Sequence, residues 1–410
     1  NKHEYTQKIV NSALTLILIL SLVIVLLFLL NLTFDFNLGD EKYNFNQYLP
    51  WVVFTGIIGQ FNTLFNNIFR VYGRLYEIAF NQSVFPFLTL MAIFIFRDNN
   101  LLWSLVVVNA VSFLISLLLF LYRSPVKLNF LINLTFFKTI QLKGWHLFIY
   151  NTSFYLIIIS TRSFISAYYD VVDFGHFTFA YSLANVILLL LQSFGFLIYP
   201  KLINRMANSD NENVIDLLKK LRSLYITTSH AFIYCAILLY PFFLDFFPEY
   251  KNTKEVFILI TLSIVLYSNS FGYSGLIISK SNEKLLSRIA LIALITNVTI
   301  AYVLIDIFSV SYSKVIISTM ISYLLFVSLL SYYGRKNIGL SNNVVDLFRD
   351  VFPYKIFIPY FMSLFLLLCN LGHGYYVIPC LLFIILNYKT FLEMKLALKE
   401  ILNNPSVVNI

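Results

Sequence analysis

Residues 144–200 read GWHLFIYNTSFYLIIISTRSFISAYYDVVDFGHFTFAYSLANVILLLLQSFGFLIYP, and this stretch decides the fold. It contains two apolar segments of about 25 residues, each long enough to cross the ~30 Å hydrocarbon core of a bilayer. A short acidic link, Asp170 to Gly175, joins them. Both segments are therefore predicted to span a membrane as helices.

Polar residues recur at helical spacing along one face of each segment. They are Asn151, Tyr155, Arg162, Ser166 and Tyr169 in the first segment, and Tyr181, Asn185, Gln192 and Tyr199 in the second. A helix surrounded only by lipid has no use for a polar face, and charged residues inside spans usually serve function. The two faces are therefore predicted to line a polar cavity inside a helical bundle, with Arg162 at its centre.

A second interpretation of Arg162 stays open at this stage. The residue lies about eight positions, or ~12 Å at helical rise, from the Asp170 end of its segment. A long arginine side chain covers part of that distance. Arg162 could therefore snorkel to the interface, or pair structurally with another group.

The composition is that of an all-α membrane protein. Of the 410 residues, 59% are hydrophobic and 12% are charged, which excludes a water-soluble domain. The apolar runs have helical length, which excludes a β-barrel built from ~10-residue alternating strands. The net charge of +9 is spread over short loops, so no nucleic-acid partner is expected. Cys235, Cys369 and Cys380 lie in apolar spans without metal-ligand spacing, and no cofactor is predicted.

Twelve spans are predicted. They are residues 10–31, 48–69, 77–96, 101–122, 145–169, 174–199, 224–247, 255–279, 286–308, 311–333, 354–371 and 375–392. They group into an N-terminal lobe of four spans (1–123), a cytoplasmic interfacial linker (124–142), a C-terminal lobe of six spans (143–334) and a trailing two-span extension with a cytoplasmic tail (335–410). Interfacial helices are predicted at 125–142, 209–222 and 340–352, with solvated connectors as the alternative.

An internal repeat is visible in the span positions. Arg70 and Arg74 follow the second span as Lys280 and Lys284 follow the eighth, an offset of 210 residues. Spans one to four thus correspond to spans seven to ten. In this register the counterpart of the 145–200 pair would precede Asn1. We therefore expect a fold of fourteen helices, two of them missing from this chain, in which two similar lobes surround a central cavity as in secondary transporters.

Two other spans carry polar faces that are predicted to extend the cavity. They comprise Gln60, Thr63, Asn67 and Arg70 in the second span, and Ser263, Tyr267, Ser270 and Ser274 in the eighth. Helix–helix contacts are the alternative for both faces. The five histidines, by contrast, are interpreted as interfacial: His3, His146, His176, His230 and His373.

No catalytic constellation appears in the sequence. The span interiors contain no carboxylate, and no motif typical of nucleophilic catalysis, of a metal site or of a phosphate-binding loop is present. The sequence therefore predicts that the protein is not an enzyme.

The arrangement resembles the polysaccharide flippases, the lipid-linked oligosaccharide transporters of the multidrug/oligosaccharidyl-lipid/polysaccharide exporter (MOP) superfamily. The resemblance lies between residues 154 and 202, in Arg162, Asp173, Gly175, Ala180-Tyr181 and Tyr199-Pro200-Lys201. The helix ends at 68–75 and 277–285 are similar to the family's paired cytoplasmic turns. The chain departs from the family at Thr161, where members often carry an acidic residue before the arginine.

The resemblance implies a flippase for an undecaprenyl-pyrophosphate-linked oligosaccharide in surface polysaccharide synthesis. Its partners would be this substrate, membrane lipids, and a polysaccharide polymerase and glycosyltransferases. Because unpaired phosphate charge is costly to desolvate, the head needs a cationic path, and Arg162 is a bidentate phosphate donor. Two alternatives remain. A cation-coupled drug antiporter of the same superfamily commonly needs a buried acid, and a membrane glycan polymerase or ligase should carry a large outer loop.

The loop charges predict the orientation. With a cytoplasmic N-terminus, 23 of the 29 Lys and Arg residues fall in inner segments and 5 in outer loops, and Arg162 is the remaining one. Cytoplasmic loops of membrane proteins carry such an excess of cations. We expect a multi-pass protein of the bacterial cytoplasmic (inner) membrane, with both ends of this chain cytoplasmic.

Alkaline phosphatase fusions test this orientation, because the enzyme folds to its active form only outside the cytoplasm. A fusion after Asp173 should be active and one after Asn208 inactive, at equal amounts of fusion protein on an immunoblot. The reverse pattern would show that the assignment is wrong.

Overall fold

The computed structural model describes residues 2–34, 45–96, 101–130, 134–208 and 211–394, and all regular elements in these ranges are helical. The internal contacts of the chain divide it into two compact units, Asn1–Lys143 and Gly144–Ile410. The fourteen α-helices of the described ranges are α1 (Lys2–Phe34), α2 (Phe45–Val71), α3 (Leu75–Ile95), α4 (Leu101–Tyr122), α5 (Leu134–Tyr168), α6 (Val171–Asn208), α7 (Asn211–Phe246), α8 (Lys254–Ser268), α9 (Tyr273–Ser279), α10 (Glu283–Tyr302), α11 (Ile317–Asn337), α12 (Val344–Val351), α13 (Tyr354–Leu368) and α14 (Val377–Leu386).

In the first unit, α1 packs on α2, and both α2 and α3 pack on α4. The rings of Phe65 and Phe69 on α2 lie 6.1 and 4.9 Å from the ring of Phe120 on α4, measured between centroids. The side chain of Asn62 donates a hydrogen bond of 3.0 Å to the Phe113 carbonyl oxygen. Aromatic packing and interhelical hydrogen bonds of this kind hold helices together where lipid provides no hydrophobic driving force.

In the second unit, α8 is the central helix. Every side chain from Val256 to Leu266 is buried, and α6, α7, α11 and α13 all pack against it. A helix that is apolar on all sides belongs inside a bundle, since it has no face to offer to water. Helices α6, α7, α11 and α13 are therefore arranged around α8.

The chain breaks its helix between α8 and α9. Gly272 has a φ of +86°, and a Cβ there would lie 2.7 Å from Leu218 Cδ2, so glycine satisfies both the backbone and the space. The break leaves backbone carbonyls without helical partners, and Arg222 of α7 donates from Nη1 to one of them, the Phe271 oxygen, at 2.9 Å. The predicted span 255–279 therefore consists of two helices, α8 and α9, and the segment Pro248–Ser279 is long and apolar enough to cross a membrane.

A buried cluster around Asp350 ties four helices together. Asp350 Oδ2 lies 3.4 Å from Arg222 Nη2 and 3.8 Å from Arg335 Nη1, and accepts a 2.5 Å hydrogen bond from Tyr273 Oη. The Arg222 guanidinium also lies 4.3 Å from the centroid of the Tyr273 ring. These residues, which we call the Asp350 cluster, join α7, α9, α11 and α12. Because the Asp350 side chain keeps 23% of its accessible surface, removing one partner should cost less than the ~3–5 kcal/mol typical of a fully buried ion pair.

The two units share local geometry that agrees with the predicted repeat. After α2, Gly73 has a φ of +71° and donates its N–H to the Arg70 carbonyl oxygen at 3.1 Å. After α9, Ser281 likewise has a φ of +55° and donates its N–H to the Ile278 carbonyl oxygen at 2.9 Å. The offset between these turns is 208 residues, not the 210 predicted. The packing pairs also correspond. In the first unit α1 packs on α2, and both α2 and α3 pack on α4. In the second unit α7 packs on α8, and both α8 and α10 pack on α11.

The number of spans differs from the twelve predicted. In the described ranges, eight helices are long and apolar enough to cross a membrane, or up to ten if each of two bent helix pairs is one span. Neither α2 nor α5 is among them, although they have 27 and 35 residues. Polar residues lower their mean hydropathy. Two of the predicted polar faces lie on these helices, the face with Asn67 on α2 and the face with Arg162 on α5.

Two of the three predicted interfacial helices do not exist as separate helices, because each is the first part of a longer helix. Helix α5 runs without a break from Leu134, so its start merges the predicted linker helix with the span. Helix α7 likewise runs from Asn211 to Phe246, and the first two residues of the predicted helix 209–222 lie outside the described residues. Neither junction contains a proline, and the helices simply continue. The third, 340–352, exists as α12 from Val344 to Val351.

The interfacial interpretation is also wrong for His230. Because α7 begins at residue 211 instead of 224, His230 lies in the middle of the helix, only 1% exposed. Its Nε2 lies 3.2 Å from Asn269 Oδ1, at the end of α8. His176 and His373 do lie near the starts of helices, and the side chain of His3 is not among those described.

The close contact at Gly334 gives a test of the Asp350 cluster. A Cβ at this position would lie 2.3 Å from Cδ1 of the buried Tyr273, whose hydroxyl is held by Asp350. Gly334→Ala should therefore displace the ring and lower the free energy of unfolding by about 1–3 kcal/mol, measured by thermal unfolding in detergent. Gly144→Ala is the control, because a Cβ there meets nothing within 4 Å. If the two variants unfold at the same temperature, the cluster does not constrain the fold as described.

Candidate functional site

The acidic link between α5 and α6 has a structural role. Asp170 Oδ1 accepts a hydrogen bond of 2.7 Å from the Asp173 N–H, which caps the first turn of α6. Beside it, Tyr169 Oη donates to the Val310 carbonyl oxygen at 2.5 Å. Together these bonds fix where α5 ends and α6 begins. They thereby fix which side chains of the two helices face each other.

Arg162 lies eight residues before Asp170 and faces Thr178, eight residues after Asp170. Its Nη2 is 3.5 Å from Thr178 Oγ1, at the limit of a hydrogen bond. The guanidinium carbon is 5.3 Å from the ring centroid of Tyr181 and 5.9 Å from that of Phe174, which are cation–π distances. The side chain is half-buried, and its Nε is buried without a hydrogen-bond partner.

The geometry does not favour the snorkelling alternative. The guanidinium is closer to Tyr181, which lies deeper along α6, than to Phe174 near the link. Within the described residues, Arg162 forms no ion pair with either aspartate of the link or with any other carboxylate. The positive charge is thus held by aromatic faces and one hydroxyl. Most of its five N–H donors remain available to a ligand.

The opposite face of α5 is fixed by buried hydrogen bonds. Asn297 Nδ2 of α10 donates to the Ile157 carbonyl oxygen at 2.8 Å and to Ser160 Oγ at 2.9 Å. Thr161 Oγ1 lies 2.8 Å from Thr319 Oγ1 of α11. Thr161, the position at which the chain departs from the flippase pattern, is therefore a fully buried contact between helices. It holds α5 in the rotation that directs Arg162 toward α6.

The structure brings some of the predicted residues of α5 and α6 together and leaves others apart. Arg162 and Tyr181 are in contact. Asn151, Tyr155 and Ser166 are exposed, and Tyr155 retains 65% of its accessible surface. Tyr169 and Asn185 are half-buried. The side chains of Gln192 and Tyr199 lie outside those that the structure describes.

The predicted face of α2 is largely open. Thr63 and Asn67 are exposed and bond within their own helix, to the carbonyl oxygens of Gly59 and Thr63. Gln60 and Arg70 are half-buried. The contact to a neighbouring helix comes instead from Asn62, on a different face. The helix-contact alternative therefore does not account for the exposed part of this polar face.

The predicted face of α8 and α9 behaves differently. Ser263 and Ser270 are buried, with hydroxyls bonded to the carbonyl oxygens of Leu259 and Tyr267 in their own chain segment. The Tyr267 ring packs 4.5 Å from that of Phe154 on α5. Here the alternative of helix packing applies, because buried serines inside the bundle offer no surface to a substrate.

Sequence reasoning missed two buried polar pairs, Arg222 with Asp350 and His230 with Asn269. One signal was present, since Val214, Leu218 and Arg222 recur every four residues and so place the arginine on the buried face of α7. The partners could not be found in this way, because they lie 128 and 39 positions away in sequence.

The site can therefore present one positive charge and several neutral hydrogen-bonding groups to an anionic, hydroxyl-rich ligand. No group of three or more potential metal ligands occurs among the described residues. The polar groups lie on long helices of a protein that has eight candidate membrane spans among its described residues, which suits binding during passage through a membrane.

The first half of the chain matches a known family. Residues 1–206 match the family described as polysaccharide biosynthesis protein, and the chain belongs to that family. Comparison with curated proteins gave no match.

Solved structures define the fold. The chain is similar to an outward-facing multidrug resistance MATE family transporter of the MOP superfamily, with 16% identity and a TM-score of 0.67 over 82% of this chain and 79% of that one. It is also similar to the lipid II flippase MurJ in an inward closed conformation, with 15% identity and a TM-score of 0.65 over 96% and 85% of the two chains. The chain thus belongs to the polysaccharide biosynthesis family and shares its fold with a transporter and a flippase of known structure.

Proposed function

We propose that this protein flips an undecaprenyl-pyrophosphate-linked oligosaccharide across the bacterial cytoplasmic membrane for surface polysaccharide synthesis. The observation that carries the proposal is the half-buried charge of Arg162, which has no carboxylate partner among the described residues. A charge inside a span is costly, and proteins retain it where it serves a ligand or an ion path.

The chemistry of Arg162 fits a pyrophosphate. Its planar guanidinium forms two parallel N–H···O bonds to a phosphate, which a lysine ammonium does not. Stacking on the Tyr181 ring occupies one face of the guanidinium and leaves the N–H groups at its edge. Tyr155, Asn151 and Ser166 are exposed on α5 and offer hydrogen-bond partners for sugar hydroxyls. In the first unit, the exposed Thr63 and Asn67 of α2 offer groups of the same kind.

Membership of the polysaccharide biosynthesis family supports this substrate class, and so does the similarity of the fold to that of MurJ, a lipid II flippase. In this account the protein is a transporter and not an enzyme. Both ends of this chain lie in the cytoplasm. Glycosyltransferases act before the transfer of the lipid-linked oligosaccharide, and a polysaccharide polymerase acts after it.

A cation-coupled drug antiporter is the second candidate, favoured by the similarity to the MATE structures. Such exchange commonly depends on a carboxylate inside a span. The carboxylates of the described helices lie near helix ends, such as Asp173 in the first turn of α6 and Glu255 in the first turn of α8. The position before Arg162 is a buried threonine. The described part of the chain therefore favours the flippase.

Replacement of Arg162 tests the proposal in cells. Arg162→Ala should abolish surface glycan, because the pyrophosphate loses its bidentate donor, while the amount of protein in the membrane stays unchanged. Arg162→Lys should retain part of the export, since the charge remains but the planar pair of donors is lost. Surface glycan by immunoblot, normalised to membrane protein, is the measurement.

Arg205→Ala is the matched control, because Arg205 is an exposed arginine near the far end of α6, and it should export glycan like the wild type. Equal export by the wild type and Arg162→Ala, at equal protein level, would remove Arg162 from the site.

A further inference from the structure

A second polar pocket lies away from Arg162, where α7, α12, α13 and the segment after α14 meet. Its volume is about 280 Å³. Lys219 and Arg222 of α7, Arg349 and Asp350 of α12, and Lys355 of α13 line it. None of these residues belongs to the proposed substrate site. The pocket is therefore a separate feature of the second unit.

The pocket carries an excess of positive charge. Four of its lining residues are cations and one is a carboxylate, which leaves three charges uncompensated. The carboxylate, Asp350, is occupied by Arg222, Arg335 and Tyr273 in the Asp350 cluster. Within the described ranges, Lys219, Arg349 and Lys355 form no ion pair. Three cations thus surround a concavity without a protein anion to neutralise them.

The floor of the pocket is polar and ordered. Thr227, Asn387 and Thr390 line it and are 3%, 2% and 7% exposed. The Asn387 side-chain amide donates to the carbonyl oxygens of Lys355 at 3.2 Å and Phe383 at 2.9 Å. The first of these bonds fixes the start of α13 against the segment after α14. The floor therefore does not depend on a ligand for its shape.

The surroundings place the pocket at the level of lipid headgroups. Helix α12 is strongly amphipathic, with Val344, Val345 and Phe348 exposed by 78%, 54% and 47%. The chain bends by 72° from α12 into α13, as expected where a helix lying on a leaflet turns into a span. Tyr354, at this corner, is 63% exposed, and tyrosine is enriched at membrane interfaces. The pocket opens at the same corner.

We propose that this pocket binds the phosphate headgroup of an anionic phospholipid, of the phosphatidylglycerol class, from the leaflet on which α12 lies. Basic pockets between membrane helices bind anionic headgroups in this way. The acyl chains would lie against the exposed apolar face of α12. Bound lipid would bridge α7, α12 and α13, and so fix the trailing helices to the central bundle.

Native mass spectrometry of the purified full chain tests the proposal, with phosphatidylglycerol and phosphatidylcholine of identical acyl chains as probes. Phosphatidylglycerol should be retained at least tenfold more strongly. The double variant Lys219→Gln/Arg349→Gln should lower that affinity by about 25-fold, at about fivefold for each cation near the surface. Both residues are exposed, so the variant should fold and melt like the wild type.

The control is Lys220→Gln/Lys280→Gln, which removes the same charge from exposed positions outside the pocket and should bind phosphatidylglycerol like the wild type. Equal losses in the two double variants would show that general charge attraction, not the pocket, holds the lipid, and would overturn the proposal. So would equal retention of both lipids, or displacement of phosphatidylglycerol by an equal concentration of inorganic phosphate, which would define a soluble-anion site.

Discussion

The charge of Arg162 is the constraint on which the account of this protein depends. A charged side chain among membrane helices is costly, and a nearby carboxylate would offset that cost. None of the described residues supplies one. The structure instead holds the guanidinium on the rings of Tyr181 and Phe174, with one hydroxyl at 3.5 Å. These contacts stabilise the charge without neutralising it, and so leave it available to an anion.

The rest of the second unit holds that side chain in place. The rotation of α5 is set by buried bonds from Asn297 and Thr319, and its end by Tyr169 and Asp170. Helix α8 forms the apolar centre against which α6, α7 and α11 pack. The Asp350 cluster then closes the end of the bundle at the α8–α9 break. A positively charged pocket adjoins that cluster, so the same corner that stabilises the fold also faces the lipid headgroups.

Much of this fold could be predicted from the sequence, because membrane helices have a strong compositional signal. The α5–α6 helix pair and its acidic link followed from length and periodicity alone, whereas the polar face as the lining of a cavity stays a prediction. Helix starts were predicted less well: α5 and α7 begin about ten residues early, since an amphipathic segment and a span in the same helical phase join without a break. That error misplaced His230. The pairing of Arg222 with Asp350 was beyond the sequence, since periodicity places a residue on a face but does not identify its partner.

The most direct test of the central claim is the transfer of a fluorescent polyprenyl-pyrophosphate-linked sugar across proteoliposomes that contain the full chain. The account predicts protein-dependent transfer that falls about tenfold or more in Arg162→Ala, as expected for the loss of hydrogen bonds to a charged group, and is unchanged in Arg205→Ala. A glycolipid with the same sugar and tail but a neutral linkage should show no difference between the wild type and Arg162→Ala. Equal transfer of the pyrophosphate lipid by the wild type and Arg162→Ala would contradict the account.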